Sequence, residues 1–282
     1  MNEKRLKLAL IGRDVKNSKS GNMHRFILRA LGADCDYELV SVDEADFYAA
    51  FSRLVAEKDG INVTIPYKRT ALALLDGLSP EASAIGAINT VLPKGNAFSV
   101  HGKTLGFNTD GVGFMQMLRR EEISVQGKSV LVLGAGGAGR SVAVALKNAG
   151  AAVYMTRKNE ALLDGICKEL GVHKAPRLPQ GGIAGKYALA VNCTGVGMHA
   201  TEGISPVTEA ELKNVSLAID LIYRPAKSAF LEQAERLGKR TLNGKAMLFY
   251  QAYYADCLYL GCPAQDEQAD ELYENYLKEE EQ

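Results

Sequence analysis

The chain has 282 residues, 47% hydrophobic and 23% charged, a length that suggests about two domains and a composition ordinary for globular proteins. Lys plus Arg and Asp plus Glu stand at 33 each, so no net field favours nucleic acid or an anionic membrane, and five cysteines (35, 167, 193, 257, 262) without C-x-x-C spacing argue for reduced thiols rather than a disulfide framework or zinc site. Met1 to Arg5 is too polar for a secretory signal and no segment reaches the ~20 apolar residues of a membrane helix, so a soluble, cytoplasmic protein is expected.

Leu6 to Ile11 reads as a strand closed by Gly12. Met23, Phe26, Ile27, Ala30 and Leu31 recur at helical spacing, and Gly32 ends that helix. Ser18 and Ser20 precede it, where a serine is by itself an N-cap for a helix starting near Asn22. Tyr37 to Val42 is a second strand; Phe47, Ala50, Phe51, Leu54 and Val55 repeat the helical spacing; Ile61 to Ile65 is a third strand. Strands alternating with helices predict a largely parallel sheet. Lys68 follows the third strand through Pro66 and Tyr67. Residues 86–109 are rich in β-branched and turn residues, with Lys94-Gly95-Asn96 as the expected hairpin turn. Asp110 closes Gly106-Phe107-Asn108-Thr109-Asp110 before a helix carrying Val112, Phe114, Met115 and Leu118. On spacing alone Lys68 is an exposed lysine and Asp110 a cap or turn residue. At a strand's C-terminal end and at a domain junction, both stand where α/β proteins bind ligands.

The most informative stretch is 128–150. A strand from Ser129 to Leu133 runs into Gly134-x-Gly136-x-x-Gly139, followed by an Ala/Val-rich helix ending at Gly150. Strand, tight glycine turn and helix N-terminus form an anion site, in which unspent N–H groups and the positive end of the dipole face a pyrophosphate. The next strand, Ala151 to Met155, ends in Thr156-Arg157-Lys158. A unit selecting NAD places an acid near this point for the ribose 2′-hydroxyl; here two cations stand instead. Charge-assisted bonds to a 2′-phosphate contribute about 1.5–3 kcal/mol each, so the expected cofactor is NADP(H). Further strands are expected at Ala188 to Asn192 and Leu217 to Ile222, and helices over 159–170 and 228–237. After Gly244 the pattern is helical, Ala246 to Leu260 and then an acidic helix to the C-terminus. The expected fold is a two-domain α/β protein. Residues 1–110, completed by C-terminal helices in 245–282 that pack back on them, make a substrate-binding and catalytic domain. Residues 111–244 make an NADP-binding Rossmann domain.

Several motifs outside the glycine loop carry a family resemblance. They are S-K-S at 18–20, N-V-T-I-P-Y-K at 62–68, I-G-A-I-N-T at 85–90, N-T-D-G-x-G-F at 108–114, N-C-T-G-V-G-M at 192–198, D-L-I-Y-R-P at 220–225 and G-x-x-M-L-x-x-Q at 244–251. With G-A-G-G-A-G-R at 134–140, this ordered set resembles the shikimate dehydrogenase (shikimate/quinate dehydrogenase) family over nearly the whole chain. The resemblance implies NADPH-dependent reduction of 3-dehydroshikimate to shikimate in aromatic amino acid (chorismate) biosynthesis. It implies that Lys68 is the catalytic acid/base and that Asp110 orients it while binding substrate. Ser18 and Ser20 are then the carboxylate ligands, with Thr64, Asn89, Asp110, Tyr223 and Gln251 around the ring hydroxyls. Gly134, Ala135, Gly136, Gly137 and Ala138 would cradle the pyrophosphate, and Thr156, Arg157 and Lys158 the 2′-phosphate. Thr194, Met198, Leu221 and Gly244 would line the nicotinamide half. No metal, nucleic acid or membrane partner is expected, and the protein would be a monomer or homodimer.

The chain departs from the family pattern at Gly21, where proline is usual, and at Thr156-Arg157-Lys158 in place of Asn-Arg-Thr. Cys193 stands for a small residue, and Lys245-Ala246 for an apolar-Gly pair. Two alternatives stay open at this point: a quinate or aminoshikimate dehydrogenase of the same family, and a divergent non-catalytic NADP-binding regulatory protein. The second predicts loss of Lys68 or Asp110, and both are present.

Overall fold

The computed structural model describes residues 4–99, 102–176 and 182–280. Met1 to Glu3 of the polar N-terminal segment, residues 100 and 101 of the expected hairpin region, and the last two residues of the expected C-terminal helix lie outside them. The first elements are β1 (Lys4–Gly12), α1 (Ser20–Ala30), β2 (Ala33–Ser41), α2 (Phe47–Glu57) and β3 (Gly60–Val63). There follow β4 (Gly77–Leu78), α3 (Pro80–Ile85), β5 (Thr90–Leu92), β6 (Leu105–Phe107) and α4 (Asp110–Arg120). Next come β7 (Ser129–Leu133), α5 (Gly137–Asn148), β8 (Ala152–Thr156), α6 (Leu163–Leu170) and β9 (His173–Lys174). The chain continues with β10 (Tyr187–Asn192), α7 (Glu209–Leu212), β11 (Val215–Asp220), α8 (Ala229–Arg236), β12 (Arg240–Asn243), α9 (Lys245–Leu260) and α10 (Asp266–Glu280). The chain divides into two compact units, Met1–Gln116 with Phe249–Gln282, and Met117–Leu248.

In the first unit six strands form one sheet in the order β2-β1-β3-β5-β6-β4. β1 pairs parallel with β2 and β3, whereas β5 runs antiparallel to both β3 and β6. The expected parallel pattern therefore holds for the first three strands and turns mixed beyond them. Among the described residues no α-helix lies between β5 and β6, and without an α-helical crossover neighbouring strands return antiparallel. A turn does form at Lys94-Gly95-Asn96, the Asn96 N–H donating to the Pro93 carbonyl at 2.9 Å, but β6 begins only at Leu105, so that turn does not join β5 directly to β6. Asn96 is buried, its amide donating to the carbonyls of Asp59 and Tyr259, so its polarity marks an inward bond rather than a solvated tip.

Alternation along β1 sends Leu6 and Leu8 to one face and Ala9 and Ile11 to the other. The first pair packs with Leu28, Cys35, Ala255 and Tyr259; the second packs with Phe47, Phe51, Leu54, Ile61 and Val63. A sheet covered on both faces is what parallel strands require, and each fully buried Leu or Phe contributes about 1.5–3 kcal/mol. β2 is an edge strand whose Asp34 and Asp36 pair with Arg5. Charge of this kind protects an edge, and it also hid the start of the strand from a reading of apolar residues.

The second unit carries six parallel strands in the order β12-β11-β10-β7-β8-β9. β7 lies between β8 and β10, so the strand order reverses at its C-terminal end, the point where open α/β sheets bind ligands. Polar β12, two-residue β9 and four-residue α7 carried no apolar pattern long enough to expect. Among the described residues no helix is long and apolar enough to cross a membrane.

Candidate active site

Beyond β3 the chain turns sharply. The Thr64 N–H donates to the Ile11 carbonyl at 3.0 Å, and the Tyr67 N–H donates to the Thr64 carbonyl at 2.9 Å. Gly12 is needed beside this turn, because a Cβ there would lie 2.5 Å from Thr64 Cγ2. Tyr67 is buried, its ring stacked on Phe47 at 4.1 Å and its hydroxyl donating to the Val42 carbonyl. That anchor fixes the backbone of the next residue, Lys68, whose carbonyl accepts from the Ile88 N–H at 2.8 Å.

The Lys68 side chain is 14% exposed, and its Nζ lies 2.5 Å from Oδ2 of Asp110. Asp110 is the first residue of α4, where the helix dipole favours a carboxylate. Its other oxygen, Oδ1, accepts from Asn89 Nδ2 at 2.9 Å, and Asn89 Nδ2 also faces Gln251 Oε1 at 3.3 Å. Asn89 is held in turn, its Oδ1 accepting from the Thr109 N–H and the Thr90 hydroxyl. Gly113 lets α4 meet α9, since a Cβ there would lie 2.7 Å from the Gln251 nitrogen. Lys68, Asn89, Asp110 and Gln251, spread from residue 68 to 251, thus form one bonded cluster, with Thr64 on the turn that leads into it.

Ser18 and Ser20 stand at the start of α1 with their hydroxyls 2.9 Å apart. Ser18 Oγ also accepts from the Ser20 N–H at 3.2 Å, the first N–H of the helix. The N-cap is Lys19 and lacks a side-chain bond, and the helix begins at Ser20 rather than near Asn22. Tyr223 belongs to the second unit, while the other residues expected around the substrate belong to the first.

The second unit holds every residue expected for the nucleotide. Gly134 has φ +101, and its N–H donates to the Thr156 carbonyl at 2.8 Å. A Cβ on Gly139 would lie 2.1 Å from the Gly134 carbonyl oxygen, whereas one on Gly136 would meet nothing within 4 Å. The loop is therefore closed on its inner side and open at Gly136. Gly136 is the N-cap of α5 and offers no side-chain acceptor, so the first N–H groups of Gly137, Ala138 and the following turn remain for an anion. Ala135 lies between the two glycines, and Thr156 is buried at the end of β8. Arg157 is half-buried, Lys158 is exposed, and neither forms an ion pair among the described residues. An uncapped helix end, an open glycine and two cations suit a phosphorylated dinucleotide.

A buried network supports the far side of this loop. Asn192 ends β10, and its amide donates to Asp220 Oδ1 at 3.0 Å. Asp220 Oδ2 accepts from the Ser228 hydroxyl at 2.5 Å. Burial pushes the Asp220 carboxyl up, and its bonds from Ser228, the Ile222 N–H and Asn192 oppose that shift. Asn192 Oδ1 accepts from both the N–H and the hydroxyl of Thr194, at 3.0 and 2.6 Å. Thr194 lies against the loop, its Cγ2 2.9 Å from where a Cβ of Gly134 would stand. Gly244 meets Leu221, whose carbonyl oxygen would lie 2.1 Å from an added Cβ. Met198 is half-buried, its Cε 3.6 Å from a Cβ position on Gly195. Asn192 and Asp220 open two of the family motifs without a role assigned to them, and Ser228 lies outside every motif; a polar residue closing an apolar strand is the available signal for the first two. Arg140 ends the glycine-loop motif at 134–140. That side chain is fully buried and paired with Glu169, tying α5 to α6.

Comparison with known proteins fixes the family. Residues 10–91 match the shikimate dehydrogenase substrate binding domain. The chain is 36% identical over 256 residues to the shikimate dehydrogenase (NADP(+)) of one Thermus thermophilus strain, covering 91% of this chain and 93% of that one. The chain belongs to the shikimate dehydrogenase family. The enzyme of the same name from Carboxydothermus hydrogenoformans is also 36% identical, over 87% of this chain and 88% of its own. Among solved structures, shikimate 5-dehydrogenase of a second Thermus thermophilus strain, in complex with NADP(H) and shikimate, superposes with a TM-score of 0.81 at 34% identity, covering 96% and 99% of the two chains. A chorismate mutase/shikimate 5-dehydrogenase fusion protein from Clostridium acetobutylicum gives a TM-score of 0.85 at 30% identity and 99% coverage of both. The two-domain α/β architecture of the shikimate dehydrogenase family is thus the fold of this chain.

Proposed function

We propose that the chain catalyses the reversible NADPH-dependent reduction of 3-dehydroshikimate to shikimate. One observation carries the chemistry: Lys68 Nζ is 2.5 Å from Asp110 Oδ2, in a cluster whose amides, Asn89 and Gln251, are suited to ring hydroxyls. The Thermus thermophilus relative, named for NADP(+) and solved with NADP(H) and shikimate, supports the cofactor and the substrate. When bound, the reduced nicotinamide supplies a hydride to the C3 carbonyl carbon. The C3 oxygen gains negative charge as that bond forms, and the Lys68 ammonium donates its proton there. In the oxidative direction the neutral Lys68 amine takes the hydroxyl proton back.

Asp110 accepts from Lys68 and holds it in one orientation, itself fixed by Asn89. The Ser18 and Ser20 hydroxyls turn from each other to the substrate carboxylate, while Thr64, Asn89, Tyr223 and Gln251 bind ring hydroxyls. Gly134 to Ala138 present backbone N–H groups to the pyrophosphate; Thr156, Arg157 and Lys158 hold the 2′-phosphate; Thr194, Met198, Leu221 and Gly244 line the nicotinamide. In this reading residues 1–110 with 245–282 bind substrate and 111–244 bind NADP, and the protein works in the cytoplasm as a monomer or homodimer.

Initial rates with shikimate and with quinate, each with NADP⁺ and NAD⁺, test the reading through the ultraviolet absorbance of the reduced cofactor. Shikimate with NADP⁺ is expected to be the fastest pair. Faster turnover of quinate overturns the substrate, and faster turnover with NAD⁺ overturns the cofactor.

A further inference from the structure

The first unit buries a second set of polar side chains outside the Lys68 cluster. His24 in α1 and Asp256 in α9 are 1% and 0% exposed, and His24 Nδ1 lies 2.6 Å from Asp256 Oδ1. The imidazole is stacked on Tyr37 of β2, with ring centroids 4.8 Å apart and planes 19° from parallel. The Tyr37 hydroxyl donates to Asn62 Oδ1 in β3 at 2.8 Å. Its ring also packs on Gly21, where an added Cβ would lie 3.3 Å from Tyr37 Cδ1. Directional contacts therefore run from α9 through α1 and β2 to β3. They end beside residues of the proposed substrate site, because Ser20 opens α1 one turn before His24 and Thr64 follows Asn62 by two residues.

Such a buried pair is weak evidence of a stabilising role. A buried ion pair is commonly no better than an apolar pair of the same volume, since desolvation offsets the attraction. Burial pushes the Asp256 carboxyl up, and His24 opposes it. Asn62 Nδ2, Asp256 Oδ2 and the Tyr259 hydroxyl are all buried without a hydrogen-bond partner, and each such atom carries a desolvation cost. What the bonded pair supplies, and an apolar contact does not, is a fixed distance and angle between helices.

We propose that His24 and Asp256 are positioning residues for the substrate carboxylate, acting through Tyr37 to fix the first turn of α1, and Ser20 with it, against the end of β3. The proposal rests on the reading of Ser18 and Ser20 as the carboxylate ligands.

Steady-state kinetics with shikimate and NADP⁺, run beside thermal melts, test it on four variants. His24→Leu/Asp256→Leu replaces the pair by apolar groups and is expected to melt at or above wild type. Its KM for shikimate rises about tenfold, while kcat and the KM for NADP⁺ stay within about threefold, the signature of lost ground-state positioning. Asp256→Asn keeps an acceptor for His24 Nδ1 and is expected to hold the KM for shikimate within about threefold of wild type. Tyr37→Phe removes only the hydroxyl, and it carries the same test if the leucine pair does not fold: KM rises and kcat is kept. An unchanged KM for shikimate in folded leucine or phenylalanine variants overturns the proposal, as does an Asp256→Asn KM as high as that of the leucine pair. Ser18→Ala/Ser20→Ala separates the two layers. If that variant leaves the KM for shikimate unchanged, the carboxylate reading has failed; if it raises KM and the leucine pair does not, the positioning proposal alone has failed.

Discussion

Gly139→Ala strikes the nucleotide loop at its tightest point. The added Cβ would lie 2.1 Å from the Gly134 carbonyl oxygen and 2.9 Å from its carbon. Both are backbone atoms, so no change of rotamer relieves the contact. Real Cβ atoms essentially never approach closer than 3.0 Å, leaving a shortfall of 0.9 Å that the turn and α5 must absorb by moving apart. A displacement of about 1 Å at a positioned group costs on the order of 100-fold, which is about 2.7 kcal/mol. Titration of NADPH by calorimetry is therefore expected to give a Kd about 100-fold weaker than wild type, with circular dichroism confirming a folded chain. Gly136→Ala is the control, because its φ of −76° suits any residue and its Cβ meets nothing within 4 Å. It is expected to melt like wild type. A folded Gly139→Ala protein that binds NADPH within about threefold of wild type refutes the reasoning.

Lys68→Ala is expected to lower kcat by about 10²–10⁴, the usual worth of a positioned acid/base, with NADPH binding unchanged; a kcat near wild type removes Lys68 from the mechanism. Arg157→Ala is expected to lower kcat/KM for NADP⁺ by about 10- to 150-fold, matching a charge-assisted bond of about 1.5–3 kcal/mol, and to leave NAD⁺ almost untouched; equal losses for both cofactors contradict a 2′-phosphate contact. Burial raises the Asp220 carboxyl, so the folded state holds its proton more tightly than the unfolded chain does. The stability from that difference is complete below the ordinary aspartate range, about pH 4, and is lost as pH rises through the raised value. Urea unfolding from about pH 4 upward should show Asp220→Asn gaining on wild type with rising pH; a difference constant with pH refutes the linkage.

How much of this was legible depended on whether chemistry and pattern coincided locally. The strand before Gly134, the glycine spacing and the helix after it lie within one short stretch, and the observed β7 and α5 follow them closely. Lys68 and Asp110 were found through their motifs, but their 2.5 Å contact comes from the tertiary approach of β3 and α4, which spacing does not encode. His24 and Asp256 escaped notice because each occupies an inward position on a helix, where a polar residue reads as an interruption of the apolar face. The pair is 232 residues apart, so neither explains the other in sequence. Asn96 does lie in the expected turn, its N–H donating to the Pro93 carbonyl, but its buried amide also bonds the carbonyls of Asp59 and Tyr259, a long-range role that spacing does not encode. The expected serine cap falls earlier than Asn22, because Ser18 Oγ accepts from the N–H of Ser20, the first residue of α1.

The central claim is tested most directly by incubating the protein with 3-dehydroshikimate and NADPH deuterated at the transferable nicotinamide position, then weighing the product. The account predicts shikimate carrying one deuterium at C3, formed in step with NADPH consumption. Product without the label, or bound NADPH that is never consumed in the presence of 3-dehydroshikimate, contradicts it.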